Sequence, residues 1–175
     1  GYGVEVSVVE MLPHILPNED EEAVAELAKA LKKRGVKVFA GTKVKSVERT
    51  ETGTKVLIES EKGEETLEAE RTLVAVGFKP NSGGIGLEEV GVETDKRGFV
   101  VVDERMRTNI PGIWAIGDLT GKLLLAHTAS AMGIICAENI AGKESRTLDY
   151  RMIPRATYSS PQVASFGYTE AQAKE

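Results

Sequence analysis

Hydrophobic and polar positions change rhythm several times along the chain. Val4–Glu10 (VEVSVVE) is a short β-branched run with partial alternation, which predicts a buried strand. Pro13 and Pro17 interrupt the next stretch. From Asn18 to Gly35 the period becomes helical, with Val24, Leu27, Ala28 and Leu31 at i, i+3, i+4 and i+7 on one apolar face. Asn18 is the expected N-cap, with Glu21 three residues on as in a capping box. Glu19 to Glu22 crowd the positive end of the helix dipole, and Lys32, Lys33 and Arg34 the negative end. Gly35 stops the helix, and Val36–Phe39 reads as a second short strand.

The texture changes at Thr42. Lys43–Thr50, Lys55–Ser60 and Glu65–Glu70 mix polar and apolar positions, with Gly53 and Gly63 between them, and predict an antiparallel meander with one wet face. Leu73–Val76 is fully apolar and reads as a strand ending in Gly77; 78–86 (FKPNSGGIG) is a connector rich in Gly and Pro. Phe99–Val102 and Ile113–Ile116 are two further expected strands. Leu123–Ala141 has so little charge that it predicts a helix buried on more than one side. Thr157–Gly167 reads as two short strands around Pro161, and Thr169 as the N-cap of a last helix.

Composition narrows the classes. The 175 residues are 41% hydrophobic and 28% charged, which is ordinary globular usage and argues against disorder or a disulfide scaffold. No apolar run approaches a membrane span. A net charge of −5 is a poor basis for nucleic-acid binding. The single cysteine, Cys136, can form no internal disulfide and suits a reducing compartment. The chain opens on Gly1, already inside a strand pattern, so an internal piece of a longer protein is expected.

Candidate chemistry is sparse. Glu10, at the end of a strand, could accept hydrogen bonds from an adenosine ribose, favouring NAD over NADP, or could be an ordinary solvated glutamate. In TNIPGIWAIGD (108–118) a strand ends in Gly117-Asp118; glycine lets a cofactor approach the backbone, and Asp118 could accept from a cofactor hydroxyl. Cys136, among Ile134, Ile135 and Ala137, reads as a buried small hydrophobe. No residue is read as catalytic and none as a metal ligand.

These motifs carry a resemblance. TNIPGIWAIGD resembles the second FAD-binding motif of the flavin-dependent pyridine nucleotide-disulfide oxidoreductases, and LVAVGFKPN (73–81) resembles their joint between NAD and FAD domains. EMLPHILPNEDEEAVAELAKALKKRGVKV, LEEVGVETDKRGFVVVDERMRTNIPG and IPRATYSSPQVASFGYTEAQAKE resemble the lipoamide branch, the dihydrolipoamide dehydrogenases, so the likeness runs over almost the whole chain.

The resemblance implies an α/β fold: an incomplete Rossmann-like NAD domain (1–80), a central FAD-domain segment (81–148) and the start of an α+β dimerisation domain (149–175). It implies FAD and NAD as cofactors. Asp118 would bind a ribityl hydroxyl, and Gly77 would let the nicotinamide cofactor pass close to the backbone. Backbone N–H groups around Leu125, Ala126 and His127 would face the pyrimidine end of the flavin. Gly117 and Glu10 complete the expected cofactor contacts. Two positions depart from the family's habit: Phe78 stands where Arg is common, and Thr128 where lipoamide enzymes often carry Lys.

The implied whole protein is a homodimeric, cytoplasmic dihydrolipoyl dehydrogenase (in the mitochondrial matrix if eukaryotic). It would serve the lipoyl-bearing subunit of a 2-oxoacid dehydrogenase complex or a glycine cleavage system. The family's redox cysteine pair and catalytic His motif are not in these residues, so the isolated chain is expected to lack lipoamide activity. The alternatives are another disulfide reductase of mercuric, glutathione or transhydrogenase type, a non-catalytic nucleotide-binding module, and an interaction fragment.

Overall fold

The computed structural model describes residues 2–143 and 147–175; Gly1 and 144–146 lie outside the described residues. The chain forms two compact units, Gly1–Ala75 with Pro154–Glu175, and Val76–Ile153.

In the first unit, strand β1 (Ser7–Val9) is followed by helix α1 (Glu21–Lys33) and strand β2 (Lys37–Phe39). β1 and β2 pair in parallel, with Val8 opposite Val38. The crossover helix lays its apolar stripe on them: Val24 and Leu27 are buried with Ile15, and Val8, Val38, Ala28 and Leu31 pack against this core. This is the face expected from the spacing. The burial of Val24 and Leu27 contributes about 1.5–3 kcal/mol each.

A three-stranded antiparallel sheet comes next: β3 (Lys43–Arg49), β4 (Thr54–Ser60) and β5 (Gly63–Ala69), in the order β3-β4-β5. Val56 and Ile58 on the central strand are buried, while β3 and β5 are mostly exposed, as an amphipathic meander requires. At Gly53 an added Cβ would lie 2.3 Å from the Ala69 carbonyl oxygen, so the turn into β4 admits no side chain.

The returning segment contributes β6 (Arg155–Thr157), β7 (Val163–Ser165) and helix α3 (Glu170–Lys174). β6 and β7 form the expected antiparallel pair around Pro161. Val163 enters the core beneath α1. Polar contacts tighten the seam: Arg34 Nη2 donates to Ser160 Oγ at 2.8 Å. Arg155 Nε lies 3.5 Å from Glu19 Oε1 in a largely buried ion pair. Asp20 serves two helices at once. Its Oδ1 accepts from Glu22 N at the start of α1, and its Oδ2 from Glu170 N at the start of α3. Thr169 caps α3 in a full capping box with Gln172, as expected.

The second unit holds a 3-10 turn (Gly117–Thr120), helix α2 (Ala126–Ile140) and a second 3-10 turn (Tyr150–Met152). Two small cores support it, one around Val92, Val100, Val102 and Ala115 and one around Met106, Met132 and Ile135.

Several expectations are corrected. The N-cap of α1 is Asp20, not Asn18. Leu16 takes a left-handed φ of 52° and its carbonyl accepts from Glu19 N, so Asn18 sits inside a tight turn. The first strand is confined to Ser7–Val9, with Val4 and Val6 exposed. Leu73–Val76 forms no strand: Leu73, Val74 and Val76 are 90%, 67% and 92% exposed. A parallel strand exists only beside a hydrogen-bonding neighbour, and none of the described strands pairs with this segment. Phe99–Val102 and Ile113–Ile116 supply buried residues but no ladder, only the single bridges Thr94–Val100 and Arg107–Trp114. Helix α2 starts at Ala126 rather than Leu123 and is buried along one side; Ile134 and Ile140 on its surface are exposed.

The shared cap at Asp20 gives a pH signature. The backbone N–H groups of Glu170 and Glu22, with the charge of Lys174, hold the Asp20 carboxyl below the ordinary aspartate range. A depressed carboxyl stabilises the fold above its unfolded pKa and loses that contribution as pH falls through its folded pKa. We expect the Glu170 amide resonance to titrate with a midpoint below the usual aspartate value, and this titration to vanish in Asp20→Asn. NMR of the chain between neutral and strongly acidic pH checks it.

Candidate cofactor-binding site

The sequence-derived site residues fall into two groups, each positioned by its own unit. In the first, Glu10 ends β1, half-buried. Its backbone extends the pairing, with Glu10 N donating to Phe39 O and Glu10 O accepting from Thr42 N, both at 2.9 Å. Its carboxylate Oε1 accepts from Leu12 N at 2.8 Å, which fixes the side chain over the turn. Oε2 takes no hydrogen bond among the described residues and remains an available acceptor. Thr42 is a supporting residue that sequence reasoning misses. It is buried and pins this strand end, its hydroxyl donating to Ala40 O at 3.1 Å.

In the second unit, Gly117, Asp118, Leu125, Ala126 and His127 come together where the 3-10 turn meets α2. Gly117 has a φ of 72°, and a Cβ there would come within 3.3 Å of the Ala129 Cβ. The left-handed backbone favours glycine, and without a side chain the turn rests on α2 with no need for Ala129 to give way by a few tenths of an ångström. Thr120 Oγ1 donates to Gly117 O at 2.8 Å and closes the turn. Asp118 is exposed, and its carboxylate has no hydrogen-bond partner among the described residues. Leu125 is the N-cap of α2 and offers no side-chain cap; its own N–H, expected to face a cofactor, is instead donated to Leu123 O at 2.9 Å, so the open part of the helix start is the turn that follows it. The positive end of a 15-residue helix therefore opens beside an unengaged carboxylate and a bare backbone. Thr128, in the first turn of the same helix, is fully buried with no partner for its hydroxyl among the described residues. These features fit a ligand that offers hydroxyl donors to Asp118 and negative charge to the helix start.

Gly77 lies at the beginning of the second unit, with φ 129° and open space where a Cβ would be. Cys136 is only partly buried, and burial pushes its thiol above the ordinary value, away from reactivity. Among the described residues no cluster of His, Cys, Asp and Glu could hold a metal, and no helix is long and apolar enough to cross a membrane.

Comparison with known proteins places the chain in a family. The pattern of the pyridine nucleotide-disulphide oxidoreductases matches residues 1–133. The chain belongs to this family. Within it, the chain is 51% identical to a dihydrolipoyl dehydrogenase of Corynebacterium glutamicum, covering 99% of this chain and 38% of that protein. It is 50% identical to the dihydrolipoyl dehydrogenase of Mycobacterium leprae, with the same coverage. The chain thus spans 38% of the length of these curated relatives. Among solved structures, LpdA from Mycobacterium tuberculosis matches with a TM-score of 0.87 at 34% identity, covering 97% of this chain and 36% of that one. The HOCl-induced flavoprotein disulfide reductase RclA from Escherichia coli matches at 0.86 and 29%, covering 99% and 39%. The α/β character read from the sequence agrees with these oxidoreductase structures.

One glycine near the site is set by contact rather than by a ligand. Gly121 ends the 3-10 turn at φ 65°, and a Cβ there would lie 2.6 Å from the Phe99 ring. Gly112 has φ 85° with nothing within 4 Å. Gly112→Ala should cost only the left-handed backbone term, about 1–2 kcal/mol. Gly121→Ala should add overpacking of roughly 1–3 kcal/mol. Urea denaturation of the two variants compares them directly.

Proposed function

We propose that this chain is the central part of an FAD-dependent dihydrolipoyl dehydrogenase, which oxidises protein-bound dihydrolipoamide and reduces NAD. The observation that carries the reading is the seating of the Gly117-Asp118 turn against an α2 start without a side-chain cap. It is supported by 51% identity to a protein named dihydrolipoyl dehydrogenase, against 29% to the disulfide reductase RclA. That second likeness keeps another disulfide reductase as the alternative reading.

In this proposal residues 1–80 belong to an NAD-binding domain, 81–148 to the FAD domain and 149–175 to a dimerisation domain. Asp118 would accept from a ribityl hydroxyl of FAD, a charge-assisted hydrogen bond. Gly117 would keep the backbone bare beside it. The first turn of α2, at Ala126 and His127 just after the Leu125 cap, would stabilise negative charge at the flavin's pyrimidine edge. Glu10 would bind the adenosine ribose of NAD through its unengaged oxygen and would repel a 2′-phosphate. Gly77 would let the nicotinamide end pass. When bound, FAD supplies the electron carrier between a disulfide and NAD. A redox disulfide and a catalytic base would come from outside these 175 residues, since Cys136 has no second cysteine to pair with. The isolated chain would then lack dihydrolipoamide activity, and the whole protein would be a homodimer serving a lipoyl-bearing subunit in the cytoplasm.

The test uses the full-length protein. Purified protein should carry FAD and reduce NAD with dihydrolipoamide. Asp118→Ala should weaken FAD retention roughly 10- to 100-fold, the loss expected for a hydrogen bond to a charged group. Glu10→Gln should raise the KM for NAD about tenfold with little change in kcat, as a binding contact does. Activity on another disulfide and none on dihydrolipoamide would favour the alternative reductase. Absence of bound flavin would overturn the reading.

A further inference from the structure

The turn Asp103–Arg107 precedes the FAD-type motif and makes none of the proposed cofactor contacts. Its geometry is unusual. Met106 is fully buried yet has a φ of 66°, a left-handed conformation that L-residues other than Asn and Asp rarely adopt. The turn is wound around one carboxylate. Asp103 Oδ1 accepts from Arg105 N and Arg107 N, both at 2.9 Å, and Oδ2 pairs with Arg107 Nε at 2.7 Å. Asp103 N donates to Arg107 O at 3.0 Å, and Met106 N donates to Asp103 O at 3.1 Å. Partial burial works to raise the Asp103 carboxyl, but the N–H groups and guanidinium of Arg107 and the N–H of Arg105 outweigh it and hold it below the ordinary range.

Met106 then touches α2 and the segment that runs into the 3-10 turn. Its side chain packs with Met132, itself fully buried in α2, and with Ile135 one turn further on. Its carbonyl accepts from Ala115 N at 3.1 Å, in the segment that leads directly to Gly117 and Asp118. A bridge between Arg107 and Trp114 reinforces that second contact.

We propose that Met106, locked in its left-handed conformation by the Asp103 turn, is a positioning residue that sets the start of α2 against the Gly117-Asp118 turn and so tunes the flavin. The inference rests on the FAD reading of this site. Met106 does not touch the cofactor in this scheme; it acts through Met132 and Ala115. Loss of the wedge lets α2 move relative to the 3-10 turn, and the helix start then stabilises reduced, anionic flavin less well.

The experiment uses full-length protein carrying FAD. The midpoint potential of the bound flavin is measured by dye equilibration for wild type, Met106→Ala, Met106→Leu and Asp103→Ala. Met106→Ala should weaken the preference for reduced flavin at least tenfold, which for two electrons is a shift of about 30 mV to more negative potential. Met106→Leu should restore most of the wild-type value, because it refills the space under α2. Asp103→Ala, on an exposed turn, should shift the potential in the same direction and decides the matter if Met106→Ala does not fold. A purely structural role would lower the melting temperature and leave the potential in place. Wild-type potential in the folded variants with flavin bound overturns this inference alone. Wild-type protein that binds no FAD overturns the flavin reading and this inference with it.

Discussion

The second unit depends on a contact that needs an atom to be missing. Gly117 rests on α2 because it has no Cβ; with one, the turn would press against Ala129 at 3.3 Å. That seating brings the Asp118 carboxylate and the start of the helix to one place. Met106 is linked to both sides of that junction, to α2 through Met132 and to the segment before the turn through the Ala115 amide. Backbone conformations reserved for glycine, together with one that methionine adopts only under constraint, thus organise the group proposed to face a cofactor. In the first unit the equivalent organiser is hydrophobic: α1 closes over the parallel Val8–Val38 pair, and the strand end that carries Glu10 is placed by it.

Much of this was legible in the sequence where the signal is local. The apolar face of α1 could be read because helical spacing alone puts Val24, Leu27, Ala28 and Leu31 on one side. The meander could be read from its turns, and the capping box at Thr169 from residue types three apart. Gly117 and Asp118 could be read because their motif is contiguous. What could not be read lies in contacts across the chain. Asn18 and Asp20 are equally good caps by type, and only the fold of Leu16 decides between them. Leu73–Val76 has the composition of a buried strand, but composition cannot supply the neighbour that a strand needs. Phe99, Val100 and Val102 are buried, yet burial and ladder pairing are separate properties, and the expected strand does not form.

The parts of the site that escaped sequence reading share a cause. Thr42, Asp103 and Met106 act by holding other residues, and nothing in their neighbours' identities announces it. An Asp close to two arginines reads as a solvated charge run until the turn is seen to close on it. A buried methionine reads as ordinary core until its φ is known.

The first unit is discontinuous: the chain leaves it at Ala75 and returns at Pro154. Val163 must find the core beneath α1, and Glu170 must find Asp20, across the whole intervening unit. Such contacts are high in contact order, and the entropy of closing so long a loop is lost before they can form. The order of assembly is therefore constrained during synthesis. The residues of the second unit are all available before Pro154 is made, whereas the seam along α1 must wait for the segment beyond it to emerge. The helix that covers the β1–β2 pair is thus the first of the three described helices to be made, yet its core stays incomplete until Val163 emerges.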